Sequence, residues 1–442
     1  MSLKINLDIL NDEQRQEIVD DLSVSPEQSQ EGQKKFTFAK KQTSQVVELF
    51  EVENNDVIVP FAYGVEKLNI KRPRLLDFEK MNEQITFQGK LREKQVECKD
   101  KVIKNLNLFG TTLLSCYPGF GKTITSIYIS TKIGLKTLII VNRIVLMNQW
   151  KDAIAKFCSH AKVKILTPKK SKTNTNDAEE NEADFFIINA LNVSKFGSVF
   201  FAKIGTIIVD EAHLIMSQVL SQSLRFLFPK YLLGLSATPY RTDGMNILLK
   251  LYFTENKIIQ KLYHSHTVYK IETGFTPEVE YDRNGTLIWN KIIESQSENK
   301  ERNALILRLI EKYPQKTFLI LTKRVQQANY LFEELQKKGE MVDTFMESKT
   351  DFNKSARILI ATTSKGGVGF DHDKLDALIL ACDLEDYFIQ YLGRVFRRQD
   401  IKPIIFDLVD NHPSLKRHFS TRRSVYVEAG GQIEKYKEHL EA

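Results

Sequence analysis

Two short stretches of this chain combine residue types and spacings suited to phosphate chemistry. The first, Cys116-Tyr117-Pro118-Gly119-Phe120-Gly121-Lys122-Thr123, follows the apolar run TTLLS and opens an amphipathic stretch, so it lies between a strand and a helix. Gly119 and Gly121 let the backbone turn its N–H groups inward around an anion, and the helix N-terminus adds a favourable dipole. Lys122 places one ammonium on the β- and γ-phosphates of a nucleotide, and the Thr123 hydroxyl completes a Mg²⁺ ligand set. Pro118 and Phe120 belong to the same phosphate-binding loop. Cys116 stands where such loops usually open on Gly or Ala; it is small, so the loop is expected to survive.

The second stretch, TIIVDEAH (206–213), is an apolar run ending in two carboxylates. A buried parallel strand would deliver both to its C-terminal edge, the edge that also carries the phosphate loop. Asp210 would hold Mg²⁺, usually through water, and Glu211 would polarise the attacking water as general base.

The elements that must position these groups follow from the apolar pattern. From about residue 88, strand-like runs (TTLLSCY, KTLIIVN, DFFIINA, TIIVDEA, YLLGLSA) alternate with amphipathic segments such as ITSIYISTKIG and RIVLMNQWKDAIAKF. That rhythm predicts a parallel α/β sheet. A second series begins near residue 300, with KTFLILT, RILIATT, DALILAC and KPIIFDLV as strands and RVQQANYLFEELQKKG and EDYFIQYLGRVFRR as helices. Residues 169–182 form a polar insertion expected at the surface. Residues 1–85 read as a separate accessory module. Its first thirty residues, acidic and Ser/Gln-containing, are expected to be partly flexible, and β-rich runs follow around the Asn54-Asn55-Asp56 turn signal.

DEAH, GLSATPYRTDG (234–244) and QYLGRVFRR (390–398) follow one another in the order and spacing of superfamily 2 helicases, a resemblance covering about residues 88–425. It implies two tandem RecA-like lobes, placed at 86–250 and 251–442 after the small α+β domain at 1–85, and an ATP-dependent, Mg²⁺-using motor. By the same resemblance, Gln95 in LREKQ would recognise adenine with Arg92 supporting it, although a solvated helix start competes for both residues. Ser236 and Thr238 would link hydrolysis to movement, with His213 in the same network. Arg394 and Arg397, three apart on a predicted helix and so on one face, would stabilise charge on the γ-phosphate together with Gln390. In TTSKGGVGFD, Gly369 would approach a phosphate and Asp371 the ribose or the arginines; the family more often has an acidic residue before the first glycine. Within the superfamily the chain most resembles the XPB/UvsW-like branch. That implies a 3′-to-5′ DNA translocase acting on single-stranded, forked or branched DNA, with RNA helicases, transcript-release translocases and motor subunits of larger complexes as alternatives.

A translocating motor grips the sugar-phosphate chain without reading bases. Candidates at strand ends are Asn142, Arg143, Asn189, Thr322, Lys323 and Thr362. Net charge is +7, and residues 1–80 carry −4 of it, so the basic excess lies with the motor motifs. The Lys34-Lys35, Lys40-Lys41 and Lys71–Arg74 clusters of the first module suit either duplex contact or solvated faces. EVEYDRNGTLIW (278–289) carries an Asn-Gly hairpin signal with Tyr281 and Trp289, open to use as a strand-separating pin or as an edge hairpin. The four scattered cysteines make a structural zinc improbable, no run is long enough for a membrane span, and the N-terminus lacks a signal-peptide pattern. A monomeric, intracellular protein is expected.

Overall fold

The computed structural model describes residues 1–24, 47–168, 182–216, 224–238, 246–346, 349, 351–366, 372–384, 388–398 and 400–436. The chain divides into two compact units, Met1–Cys116 with Phe120–Gln260, and Tyr117–Gly119 with Lys261–Ala442.

The first unit opens with a small antiparallel sheet of β1 (Ser2–Asn6), β2 (Glu51–Glu53) and β3 (Asp56–Pro60), in the order β1-β3-β2. Asn54 turns β2 into β3 with a φ of 55°, the left-handed conformation that Asn tolerates. Contrary to the expected flexibility, residues 1–24 are structured. Alternating Leu3 and Ile5 face the core and pair with Val59 and Val57, and α1 (Asp12–Leu22) is started by a reciprocal cap. The Asn11 side chain accepts from Gln14 N at 2.8 Å, while Gln14 Oε1 accepts from Asn11 N at 3.1 Å. This small sheet belongs to the first compact unit. Buried Arg225 donates to the carbonyls of Phe50 and Glu48 and to the Glu51 carboxylate, fastening it there. Of the Lys71–Arg74 cluster, Arg72 donates to the carbonyls of Leu106 and Asn107, closing a helix end. Lys34-Lys35 and Lys40-Lys41 lie outside the described residues, as do 169–181 of the polar insertion.

The main sheet of this unit has seven parallel strands: β4 (Thr111–Cys116), β5 (Thr137–Val141), β6 (Val163–Leu166), β7 (Phe185–Asn189), β8 (Thr206–Val209), β9 (Tyr231–Ser236) and β10 (Ile258–Gln260). Their order is β6-β7-β5-β8-β9-β4-β10. β4, β5, β7 and β8 are buried along their whole lengths, as expected for parallel strands covered on both faces. Helices α2 (Glu93–Phe109), α3 (Lys122–Ile133) and α4 (Ile144–Phe157) supply the cover, fixed by buried Val102, Ile127 and Trp150.

The second unit repeats the plan. β11 (His266–Glu272), β12 (Phe318–Thr322), β13 (Val342–Phe345), β14 (Ile358–Thr362), β15 (Ala377–Leu380), β16 (Ile404–Val409) and β17 (Gly431–Lys435) form a parallel sheet in the order β13-β14-β12-β15-β16-β11-β17. The sheet therefore begins with β11, ahead of the series expected from residue 300. Helices α5 (Trp289–Glu298), α6 (Lys300–Lys312), α7 (Val325–Lys337), α8 (Phe388–Val395) and α9 (Pro413–Glu428) connect or cover its strands. Two buried ionic clusters brace it. Arg302 on α6 holds Asp410 at 3.1 Å and the Ala381 carbonyl at 2.6 Å. Arg422 on α9 binds both oxygens of Asp407 at 2.8 Å and Asp383 at 2.9 Å, while His418 and Tyr426 complete those carboxylates' bonds.

Candidate active site

Because all strands of the first sheet run parallel, their C-terminal ends share one edge. Read along it, that edge presents Asn189, then Asn142 and Arg143, then Asp210 and Glu211, then Ser236, then the loop leaving Cys116. Sequence positions far apart are thus gathered by strand order alone.

The phosphate loop turns through Gly119 at φ 83° and Gly121 at φ 94°, conformations that L side chains rarely adopt. Gly121 N-caps α3, and a Cβ there would collide with the Gln95 amide nitrogen. That collision marks what Gln95 does. Its Nε2 donates to the Phe120 carbonyl at 3.0 Å and its Oε1 accepts from Arg92 N at 2.8 Å; the Arg92 guanidinium also donates to Phe120 O. Gln95 thus ties the loop to the first turn of α2, with the Arg92 guanidinium on the same carbonyl. Lys122 Nζ donates to the Cys116 carbonyl at 2.8 Å, and Thr123 lies half-buried in the first turn. Cys116 causes no strain: its thiol is buried beside Cys98, and burial, then that neighbour, push its pKa up.

Asp210 is buried at the end of β8. Trp150 Nε1 donates to its Oδ2 at 2.7 Å and Glu211 N to its Oδ1 at 3.0 Å. Burial, then the Glu211 carboxylate, push its carboxyl up to about 6, while the Trp150 bond and Lys122 oppose the rise. Trp150 was not foreseen: a tryptophan on the apolar face of a helix carries no sequence signal beyond core packing. Glu211 adopts a left-handed φ of 50° and starts the single turn Ala212–Ile215. Its Oε2 is buried without a hydrogen-bond partner and lies 3.5 Å from His213 Nδ1. His213 Nδ1 is 2.8 Å from Ser236 Oγ. The Ser236 hydroxyl gives its proton to the Thr238 carbonyl and accepts from Thr238 N, so the imidazole is the donor to it. A hydrogen-bonded chain thus runs from His213 through Ser236 to Thr238, with the Glu211 carboxylate beside its first member, and the Thr238 hydroxyl is itself buried without a partner. Unpartnered buried oxygens on Glu211 and Thr238, beside a carboxylate pair and an ammonium, fit a site for water, a divalent cation and phosphate.

Asn189 accepts from Leu191 N at 3.0 Å, and Arg143 is exposed at the start of α4. In the second unit, Thr322 and Thr362 are register partners at the ends of β12 and β14. The Thr322 hydroxyl is buried without a partner at its strand end; Thr362 Oγ1 lies 3.1 Å from Ser364 Oγ. Lys323 is half-buried next to Thr322. Gln390 is buried on α8, and Arg394 lies in its last turn. That helix ends at Val395, so Arg397 lies beyond it and does not share a helical face with Arg394. Burial lowers the Arg397 pKa. Exposed Arg398 pairs with Asp400, as a solvated residue should. Gly369 and Asp371 fall outside the described residues. The 278–289 segment forms a hairpin closed by a Tyr281–Leu287 bridge; Tyr281 is exposed, and the Trp289 ring sits 5.2 Å from His418.

The Type III restriction enzyme, res subunit, family model matches residues 88–241, from just before Gln95 to just beyond Thr238. Over 404 residues the chain is 40% identical to a putative helicase of Invertebrate iridescent virus 6, covering 87% of this chain and 90% of the relative. The chain belongs to the superfamily 2 helicases. This helicase is also 26% identical over 456 residues to a putative ATP-dependent RNA helicase of Acanthamoeba polyphaga mimivirus, across 98% of this chain and 85% of the relative. A solved structure of an S. cerevisiae Dbp5 variant bound to RNA and ADP BeF3 matches its fold with a TM-score of 0.53 at 13% identity, over 77% of this chain and 89% of that one. As a helicase it is an ATP-hydrolysing enzyme that binds nucleic acid. No helix among the described residues is long and apolar enough to cross a membrane.

Proposed function

We propose that this helicase moves along DNA with 3′-to-5′ polarity and remodels forked or branched duplexes, acting as a monomer inside the cell. The observation that carries the motor reading is the single sheet edge on which the phosphate loop, the carboxylate pair, the Ser236 relay and the strand-end polar groups stand in one row. Hydrolysis at one position of that edge can be felt at the next through the His213–Ser236 bond. The choice of branched DNA rests on the resemblance of the SATPYRTDG region and the late DLVDNHPSLKRHFSTRRSVY segment to the UvsW-like branch.

In this reading the loop amides and Lys122 hold the phosphates of ATP, Glu211 takes the proton of the attacking water, and His213 orients it. Thr123 and Asp210 would hold Mg²⁺, which when bound supplies positive charge for the β- and γ-phosphates. Arg394 and Arg397, with Gln390, add charge stabilisation at the transferred phosphate, an effect on the order of 10³-fold or more in rate. Pro118, Gly119, Phe120 and Gly121 shape the cradle, and Gln95, supported by Arg92, recognises adenine beside it. Gly369 and Asp371 keep their proposed nucleotide roles. Asn142, Arg143, Asn189, Thr322, Lys323 and Thr362 grip the backbone.

ATPase stimulation across single-stranded DNA, forked DNA, four-way junctions and RNA tests this. Forks and junctions are expected to stimulate most, and stimulation by RNA alone would overturn the substrate. An RNA substrate is the second reading, favoured by the name of the mimivirus relative, which matches nearly the whole chain.

A further inference from the structure

The C-terminal helix α9 takes no part in the ATP site, yet its surface is unusual for a solvated helix. Its buried face is fixed by Arg422, His418 and Tyr426 to Asp407 and Asp383, so the helix is rigidly presented. Its exposed face carries Lys416, Arg417 and Arg423 interleaved with Ser420, Thr421 and Ser424, and no acidic residue until Glu428. Lys416, Ser420 and Arg423 stand at i, i+4 and i+7, a single stripe about 10 Å long at 1.5 Å per residue. An ordinary solvated helix face would place Glu or Asp at i±4 to these cations; here none is present.

The stripe forms one wall of a concavity of about 510 Å³ whose other walls include Lys270 and Lys435. A neighbouring concavity of about 800 Å³ shares Lys270 and Lys435 and adds Arg308 and the N-terminus of α6, a 13-residue helix. Of the two carboxylates in the smaller concavity, Glu272 is tied to Lys270 at 2.6 Å, which leaves Glu434 against three other cations. Arg417, Arg423 and Lys435 make no ion pair with any described residue. Lys270, Lys435 and Lys416 all act to lower the Glu272 pKa, the bond from Lys270 first, a sign of positive potential at this point. Both concavities lie at the C-terminal end of β11, the edge of the sheet that also carries Thr322 and Thr362.

We infer that the Lys416–Ser420–Arg423 stripe, with Lys270 and Lys435, is a second binding site for the phosphodiester backbone of nucleic acid, separate from the strand-end contacts. Long cations spaced along a hydroxyl-bearing rigid helix suit phosphate oxygens, which are contacted by Lys, Arg and Ser without sequence selection. Concave walls concentrate the field there. The site rests on the nucleic-acid reading above and extends it, since a motor that holds a fork needs a grip on a second arm.

The test measures binding of a labelled forked DNA to the full chain at several salt concentrations, with ATPase in parallel. Each lost phosphate contact lowers the slope of log affinity against log salt by about 0.9 for duplex and about 0.7 for single strands. Lys416→Ala/Arg423→Ala is therefore expected to lower the slope by roughly 1.4 to 1.8 and to weaken binding about tenfold or more near 0.1 M salt. Basal ATPase and melting temperature should stay as in the native chain, and Lys337→Ala/Lys338→Ala, cations elsewhere on this unit, should keep the native slope. An unchanged slope and affinity in the double variant, with the native chain binding normally, would overturn this site alone. A native chain that binds no nucleic acid would sink both this site and the proposed function.

Discussion

Asp210→Asn should make this helicase more stable and nearly inactive. In the folded first unit, burial and the Glu211 carboxylate raise the Asp210 carboxyl from the ordinary 3.8 to about 6. At about 1.36 kcal/mol per pH unit, keeping it ionised at neutral pH costs the fold about 3 kcal/mol. Asparagine removes that cost. It also has one acceptor oxygen where aspartate has two, so either Trp150 Nε1 or Glu211 N loses its partner, at about 1 kcal/mol. The net expectation without divalent ions is a gain of about 2 kcal/mol at pH 7.5, or roughly 4–8 °C in melting temperature. The sign depends on pH in a defined way. With a folded pKa above the unfolded one, the native chain loses stability as pH rises between about 4 and about 6 and is level above that. Asparagine has no such slope, so its advantage should vanish near pH 4.5 and be reversed by about pH 4. ATPase should fall by at least about a hundredfold, the scale of a lost positioned group. Calorimetry in EDTA at pH 4.5, 6 and 8 reads the result. A variant less stable than the native chain at pH 8, or one whose difference is the same at every pH, would refute the reasoning.

Three further outcomes follow from other contacts. Gly121→Ala must place a side chain at φ 94° against the Gln95 amide, and its strain of about 1–3 kcal/mol should lower the melting temperature and weaken ATP binding at least tenfold by calorimetric titration. Ser236→Ala cuts the bonds between His213 and Thr238; nucleic-acid-stimulated ATPase should stay within about fivefold, a loss of about 1 kcal/mol at most, while strand displacement is lost, and an equal fall in both would count against a coupling role. Arg422→Leu strands Asp407 and Asp383 in the core of the second unit and should cost about 3–5 kcal/mol in urea unfolding, with a fully native midpoint arguing against the network.

The legible part of this molecule was its interior. Central parallel strands such as Thr137–Val141 and Phe318–Thr322 are continuous apolar runs, so their pattern announces both their presence and their burial. The edge strands Val163–Leu166, Ile258–Gln260 and Gly431–Lys435 are short and of mixed polarity, and nothing in their composition separates them from loops. Within the site, glycines and carboxylates were readable because their chemistry is local to the motif. The partnerships were not: Trp150 with Asp210, and Gln95 with Phe120, arise from packing between elements 25 or more residues apart. Residue spacing set Arg394 and Arg397 on one helical face, but the helix stops at Val395, a boundary that a repeat of three cannot reveal. Acidic composition was a poor guide to order at the N-terminal end, where the reciprocal Asn11–Gln14 cap starts a helix.

The left-handed backbone at Glu211 has a consequence for anyone who evolves this enzyme in the laboratory. Two adjacent residues are held uphill, Asp210 by its charge and Glu211 by its main chain. A library sorted for heat resistance alone would be drawn toward asparagine at the first and glycine at the second, and its winners would be inert. Thermal screening of this chain therefore needs turnover as a co-selected trait, since the catalytic pair is where blind stabilisation would begin to erase function.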